Sequence, residues 1–121
     1  MTPAEAIRAL VGAWERGDPD ELAALFTEDG VYEDPLKEER LVGRDVVRDG
    51  NAPAMAAIQD CQIRFEHLLE KGTVAFCEGL FASRLVDGSG RLDFSFALVV
   101  EMRDGKIARA AEYFDTRPLV R

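Results

Sequence analysis

The spacing of apolar residues changes once along this chain, and that change limits the folds open to it. In the N-terminal half the apolar residues recur every three to four positions. Ile7, Leu10, Val11 and Trp14 form one helical stripe, and Leu22, Leu25 and Phe26 form a shorter one. From Cys61 onward the period is two, with Ile63, Phe65 and His67 alternating with Gln62, Arg64 and Glu66. Helices first and a long antiparallel meander last predict an α+β fold with the helices packed on one face of the sheet. Three helices laid across the concave side of a strongly curved sheet make a cone, open at one end.

Local punctuation places the elements. Thr2-Pro3-Ala4-Glu5 opens the first helix with a cap, a proline at the first helical position and a capping-box acid, and Gly17 ends it. Asp18-Pro19-Asp20-Glu21 repeats the start signal for a short second helix. Thr27 to Gly30 is expected as a turn and residues 36–42 as a charged loop. Gly43 and Arg44 open a third helical stretch with Val46 and Val47, which Gly50-Asn51-Ala52-Pro53 should break or kink. Then come a strand from Cys61, a turn at Lys71-Gly72, and a long strand from Thr73 to Val86 with a bulge expected at Gly79. A hairpin loop at 87–90, a strand over Leu92–Met102, a turn at Asp104-Gly105 and a last strand over Ile107–Phe114 complete the meander.

Between the two halves lies Val31-Tyr32-Glu33-Asp34-Pro35. Strand alternation puts Tyr32 and Asp34 on one face and Val31 and Glu33 on the other, and Pro35 ends the ladder because it has no N–H. An acid and a phenol therefore point the same way where the chain turns. Facing an apolar cavity, Asp34 is a candidate general base; facing water, it is a turn residue.

The 121 residues fit one domain spanning 1–121. With 15 basic and 23 acidic residues the formal charge is −8, and no basic run argues for nucleic acid or an anionic membrane as partner. No secretory or membrane-spanning apolar stretch is evident, which predicts a cytoplasmic protein. Cys61 and Cys77 lack metal-ligand spacing and are expected as inert thiols. A lone His67 excludes a histidine-cluster metal site, and no Gly-rich phosphate loop occurs. Neither a metal nor an organic cofactor is called for.

Four signals in register resemble the SnoaL-like branch of the nuclear transport factor 2-like (cystatin-like) superfamily, which is similar to ketosteroid isomerase and limonene epoxide hydrolase. They are Trp14 with Gly17-Asp18, Leu25-Phe26 followed by Val31–Pro35, Gly43-Arg44-Asp45-Val46-Val47, and the close from Asp104-Gly105-Lys106-Ile107 to Glu112-Tyr113-Phe114-Asp115. The resemblance implies a cone-shaped barrel around a deep apolar pocket, commonly a homodimer through the sheet. It places Asp34 where ketosteroid isomerase keeps its proton-abstracting acid. The oxyanion-holding Tyr and acid of that enzyme fall at about Leu10 and Leu98, both apolar, so true steroid isomerase activity is not expected. Tyr32 and Asp34 match the water-holding Tyr and Asn of the epoxide hydrolase, and Glu112 matches an acid on its last strand. Its central Arg and second Asp fall near Glu78 and Leu80, so its bridging Arg is missing here.

Taken on the residues themselves, Tyr32, Asp34, Glu78 and Glu112 share one pocket lined by Trp14, Phe76, Leu80, Phe94, Phe96, Leu98 and Phe114. Carboxyls crowded into a low-dielectric space cannot all ionise cheaply, so at least one pKa rises. Asp34 then accepts a proton, Glu112 in its protonated form donates to a substrate oxygen, and Tyr32 orients substrate or water. Other placements stay open. Glu78 takes the opposite face if a bulge at Gly79 shifts the register, Glu112 pairs with Arg109 or Arg64, and Trp14 or His67 is structural only. Three functions follow from these alternatives: an acid–base enzyme of isomerase, cyclase or hydrolase type on an apolar oxygen-bearing molecule, a non-catalytic binder of such a molecule, or a dimerisation module.

Overall fold

A computed structural model describes residues 1–115; the last six residues of the expected 1–121 domain lie outside the described residues. Helix α1 spans Pro3–Arg16, α2 Pro19–Ala24 and α3 Arg44–Ala57. Six strands follow the order β1 (Phe26–Asp34), β2 (Glu39–Val42), β3 (Ile58–Lys71), β4 (Val74–Leu85), β5 (Arg91–Arg103) and β6 (Lys106–Phe114). They form one curved sheet in the spatial order β2-β1-β6-β5-β4-β3, antiparallel except where β1 runs parallel to β6. The sheet does not close: β2 and β3 are its two edges, and the helices cover its inner face.

The start of α1 follows from its sequence. Thr2 accepts from the Glu5 N–H while the Glu5 carboxylate accepts from the Thr2 N–H, so two orphan donors are satisfied reciprocally. Gly17 ends the helix at φ 64°, a left-handed cap that costs glycine little. The apolar stripe of α1 buries Ile7, Leu10 and Val11 against β3, β4 and β5. Together with Leu22, Phe26, Val47, Met55, Leu98, Val100 and Ile107 they form the core.

Three segments depart from the local signals. Thr27 to Gly30 is not a free turn, because β1 begins at Phe26 and its pairing with β6 shifts register between Phe26 and Val31. The Phe26 carbonyl in that irregular stretch accepts from the Arg44 guanidinium at 2.6 and 3.0 Å. Phe26, placed with the second helix by spacing, opens this strand instead. The charged segment 36–42 is also ordered. Pro35–Lys37 forms one 3₁₀ turn, and Glu39–Val42 pairs with β1, with Arg40 opposite Glu33. Its charge marks an edge strand rather than a loop. Finally, α3 runs through Pro53 without a break. Val47, Asn51 and Met55 are buried at four-residue intervals, and packing of that stripe outweighs the one N–H that Pro53 removes. Strand β3 likewise begins at Ile58, ahead of Cys61.

Gly79 lies beside a bulge, but the extra residue belongs to β3, between Phe65 and His67. A Cβ at Gly79 would meet the Arg64 carbonyl at 2.5 Å and the Phe96 ring at 3.2 Å, so only glycine lets β3, β4 and β5 approach as they do here. Among the described residues, no helix is long and apolar enough to cross a membrane.

Candidate functional site

The helices and the concave face of the sheet enclose a cavity of about 320 Å³. Strand alternation delivers its walls. On β1, Tyr32 and Asp34 point inward and are buried, while Glu33 points outward to Arg40 and Arg109. On β5, Leu92, Phe94, Phe96 and Leu98 line the cavity, and β6 contributes Glu112 and Phe114. From α1 come Leu10, Val11 and Trp14, and from α3 Gly50, Asn51 and Ala54.

One wall is a row of aromatic rings crossing three strands. Trp14 meets Phe81 edge-on at 6.2 Å, Phe81 stacks on Phe94 at 4.6 Å, and Phe94 lies 4.9 Å from Phe114. The Lys37 ammonium sits 5.5 Å from the centre of the Phe114 ring and closes the row.

The polar groups gather at one place. The Tyr32 hydroxyl donates to Glu112 Oε2 at 2.9 Å. Glu112 in turn hydrogen-bonds Asp34, and Lys37 Nζ lies 3.6 Å from Asp34 Oδ2. What surface Glu112 keeps belongs to a side chain that lines the cavity. Burial, then the neighbouring Asp34 charge and the hydrogen bond to it, push its carboxyl up to about 8. Burial also raises Asp34, while the hydrogen bond from Glu112 and the charge of Lys37 act in the opposite sense. The two acids titrate as a pair, with Glu112 pushed up further than Asp34. Burial and the Glu112 charge raise Tyr32 well above the ordinary phenol range, so its hydroxyl stays a donor.

The structure divides the expected site residues. Asp34, Glu112, Tyr32, Trp14, Phe94, Phe96, Leu98 and Phe114 converge on the cavity. Phe76, Glu78 and Leu80 do not. They lie on the outer face of β4, where Phe76 is exposed and Glu78 Oε1 lies 3.0 Å from His67 Nδ1, within hydrogen-bond distance. The inner face of β4 carries Ala75, Cys77, Gly79, Phe81 and Ser83. This face packs against α1, with Trp14 edge-on to Phe81, and the other set is turned outward. Glu112 does not pair with Arg109, which binds Glu33 and Glu101 on the outer face.

Spacing alone missed four lining residues with a part in the site: Phe81, Lys37, Asn51 and Leu10. Two apolar alternations overlap in β4, and only the charges of Glu78 and Arg84 favour the odd-numbered face as the inner one. Asn51 donates from Nδ2 to the Val47 carbonyl at 2.8 Å, a contact invisible without the helix geometry. Leu10 and Leu98 both line the cavity and offer it only hydrocarbon. Among the described residues, no group of three or more His, Cys, Asp or Glu side chains is arranged to hold a metal ion. Burial pushes the Cys61 and Cys77 thiols up to about 11, so neither is a ready nucleophile.

Comparison with known proteins agrees with this architecture. Residues 7–110 match the family model of a SnoaL-like domain. None of the curated proteins matches in sequence. Among solved structures, a hypothetical protein of ketosteroid isomerase-like fold from Catenulispora acidiphila, in complex with trimethylamine, superposes with a TM-score of 0.85 at 21% identity, covering 98% of this chain and 91% of that one. An epoxide hydrolase of the LEH-like type from M. tuberculosis gives 0.80 at 22% identity, covering 97% and 85%. The epoxide hydrolase/cyclase-like enzyme SalBIII, with a role in pyran ring formation in salinomycin, gives 0.78 at 19%, covering 93% and 89%. At these identities the likeness is one of fold.

Proposed function

The chain belongs to the SnoaL-like domain family, and from that premise we propose that it is a cofactor-independent acid–base enzyme acting on an apolar, oxygen-bearing small molecule. The observation behind this reading is the pair Asp34 and Glu112, held in hydrogen-bond contact inside a cavity otherwise walled by aromatic and aliphatic side chains. A base and a protonated acid side by side, in a space with little water, are what proton transfer to and from one substrate requires. Carboxyls alone suffice for it.

In this scheme Asp34, ionised beside Lys37, takes a proton from a carbon next to a carbonyl, or from a water or hydroxyl that then attacks. Glu112 gives its proton to the substrate oxygen on which charge develops. The proton gained by Asp34 returns to Glu112 through their direct hydrogen bond, which restores the resting pair. Tyr32, bonded to Glu112, holds that carboxyl in place and so acts as a positioning residue. Cyclisation and epoxide hydration fit this proton traffic; in an isomerisation Asp34 instead returns its proton to another carbon of the substrate while the substrate hydroxyl gives its proton back to Glu112. The fold neighbours include proteins described as an epoxide hydrolase and an epoxide hydrolase/cyclase-like enzyme. Steroid isomerisation is not proposed, because Leu10 and Leu98 offer no donor to an oxyanion. The open cavity speaks against a vestigial pocket. Two copies would pair through the outer face of the sheet, where Val74 and Phe76 are exposed, and the free thiols Cys61 and Cys77 suit a reducing cytoplasm.

The test uses deuterated water and a panel of hydrophobic ketones, with ¹⁸O-labelled water and a panel of apolar epoxides in parallel. Mass spectrometry should detect label entering a member of one panel. Asp34→Asn should abolish the incorporation while circular dichroism and Tm stay near those of the parent. Label uptake that survives Asp34→Asn, or none from either panel, removes the acid–base reading.

A further inference from the structure

We propose that Lys37 is a positioning residue that decides which member of the buried acid pair keeps the proton, holding the negative charge on Asp34 and leaving Glu112 as the donor. The inference rests on the acid–base reading for its consequence in catalysis, but its geometry stands apart from any substrate.

Lys37 closes a single 3₁₀ turn that starts at Pro35, directly after Asp34, whose carboxylate makes no capping bond to it. Three residues per turn bring positions i and i+3 onto one side, so Asp34 and Lys37 are brought together by the backbone itself. The turn is fixed at both ends: Pro35 sets its first φ, and the Glu38 N–H donates to the Pro35 carbonyl at 3.2 Å with Glu38 in the left-handed region at φ 56°. The ammonium then makes three contacts. It lies 3.6 Å from Asp34 Oδ2, 3.8 Å from Glu39 Oε2, and 5.5 Å from the centre of the Phe114 ring.

Asp34 and Glu112 are otherwise similar carboxyls in one desolvated space, and burial raises both. The groups facing Asp34 are Lys37 on the turn, Glu39 on β2 and Glu112 on β6, with Tyr32 of β1 reaching Glu112 from the other side. Glu39 disfavours charge on Asp34. Lys37 is the cation among these groups; it pairs with Asp34 at 3.6 Å and with Glu39 at 3.8 Å, and of the two buried acids the one it contacts directly is Asp34, its charge lowering Glu112 from further off. It therefore breaks the near-symmetry of the pair in one direction. A base beside the turn and an acid on β6 give a bound substrate a defined polarity: its proton-losing atom toward the turn and its oxygen toward β6.

Side-chain ¹³C NMR of the ligand-free protein tests this. In the parent, Asp34 should ionise first and Glu112 second. Lys37→Met should raise the first ionisation by about half to one pH unit, the ammonium being more than a third exposed and partly screened, and should spread it over both carboxyls. Lys37→Arg should restore the parental order, and Glu39→Gln should lower the first ionisation. Titration curves in Lys37→Met that overlay the parent's, at unchanged Tm, overturn the proposal. So does a curve that shifts equally in Lys37→Met and Lys37→Arg, which would mark a packing effect. Since no substrate enters these measurements, the loss of the catalytic reading through the Asp34→Asn label experiment would leave this result standing, and the reverse.

Discussion

The hydroxyl of Tyr32 on β1 donates to Oε2 of Glu112 on β6 across 2.9 Å, joining two strands that run parallel in an otherwise antiparallel sheet. The bond fixes the rotamer of the one carboxyl whose proton is held up to about pH 8. It also ties the site to the point where the N-terminal strand is inserted beside the C-terminal one.

Removing that donor should be felt at both ends. Tyr32→Phe keeps the ring that packs near Phe26 but leaves Glu112 without its phenol. Since the phenol favours the ionised carboxylate, the Glu112 titration should move further up. The stability cost should be about 1 kcal/mol, that of a hydrogen bond lost without a cavity. Urea denaturation and carboxyl ¹³C titration check both. A downward shift would contradict the direction of the bond.

Stability should fall as pH rises between about 4.5 and 8. Glu112 has a reference value of 4.5 and is pushed up to about 8, so the folded state binds more protons than the unfolded chain within that window. Its contribution is therefore intact below about 4.5 and lost as pH climbs through the folded value. Asp34, also raised, adds a slope of the same sign. Glu112→Gln keeps the shape and a donor but cannot ionise. Its Tm difference from the parent should thus become more positive from pH 5 to pH 8. A difference independent of pH would mean that Glu112 ionises freely in the folded protein.

Gly79→Ala should be among the costliest single-methyl changes in the protein. The new Cβ would meet a backbone carbonyl, that of Arg64, at 2.5 Å, and a backbone atom cannot swing aside as a side chain can. The expected loss is about 2–3 kcal/mol or more, by overpacking. Gly50→Ala makes a useful control, because its nearest neighbour is the flexible end of Leu41, at a similar 2.6 Å. Comparable losses in the two variants would argue against the close approach of β3 and β4.

Phe81→Ala removes the ring at the centre of the aromatic row, stacked on Phe94 and edge-on to Trp14. It should cost about 3–5 kcal/mol and enlarge the cavity. Intrinsic Trp14 fluorescence, from the single tryptophan, should shift as its neighbour is lost. Phe76→Ala on the outer face of the same strand should leave that fluorescence unchanged. Equal effects would place both rings in the core.

Much of the fold was legible because its signals are local. The capping box at Thr2 and Glu5, the left-handed glycine at 17 and the alternation that sends Tyr32 and Asp34 to one face need only neighbours in the chain. The inner face of β5 was legible for the same reason, since Phe94, Phe96 and Leu98 alternate with Asp93, Ser95 and Ala97. Where two patterns compete, local reading fails. Phe76 and Leu80 are as apolar as Cys77 and Phe81, and the parity of β4 is settled by packing against α1, where Phe81 meets Trp14. The charged stretch 36–42 became a turn and an edge strand because β1 offered it a ladder, a partner that no short-range signal announces.

The chain's own residues thus determined the order of helices and strands, the family resemblance, and Tyr32 and Asp34 as a pair on one side of a strand, with Glu112 expected beside them. Tertiary structure decided that Glu112 meets them, that Glu78 and Phe76 stay outside, and that Lys37 stands beside Asp34 rather than in solvent. The reason is range. Periodicity and capping are written within a few residues, whereas register between strands, and the burial that shifts a carboxyl's proton affinity, depend on atoms tens of positions away.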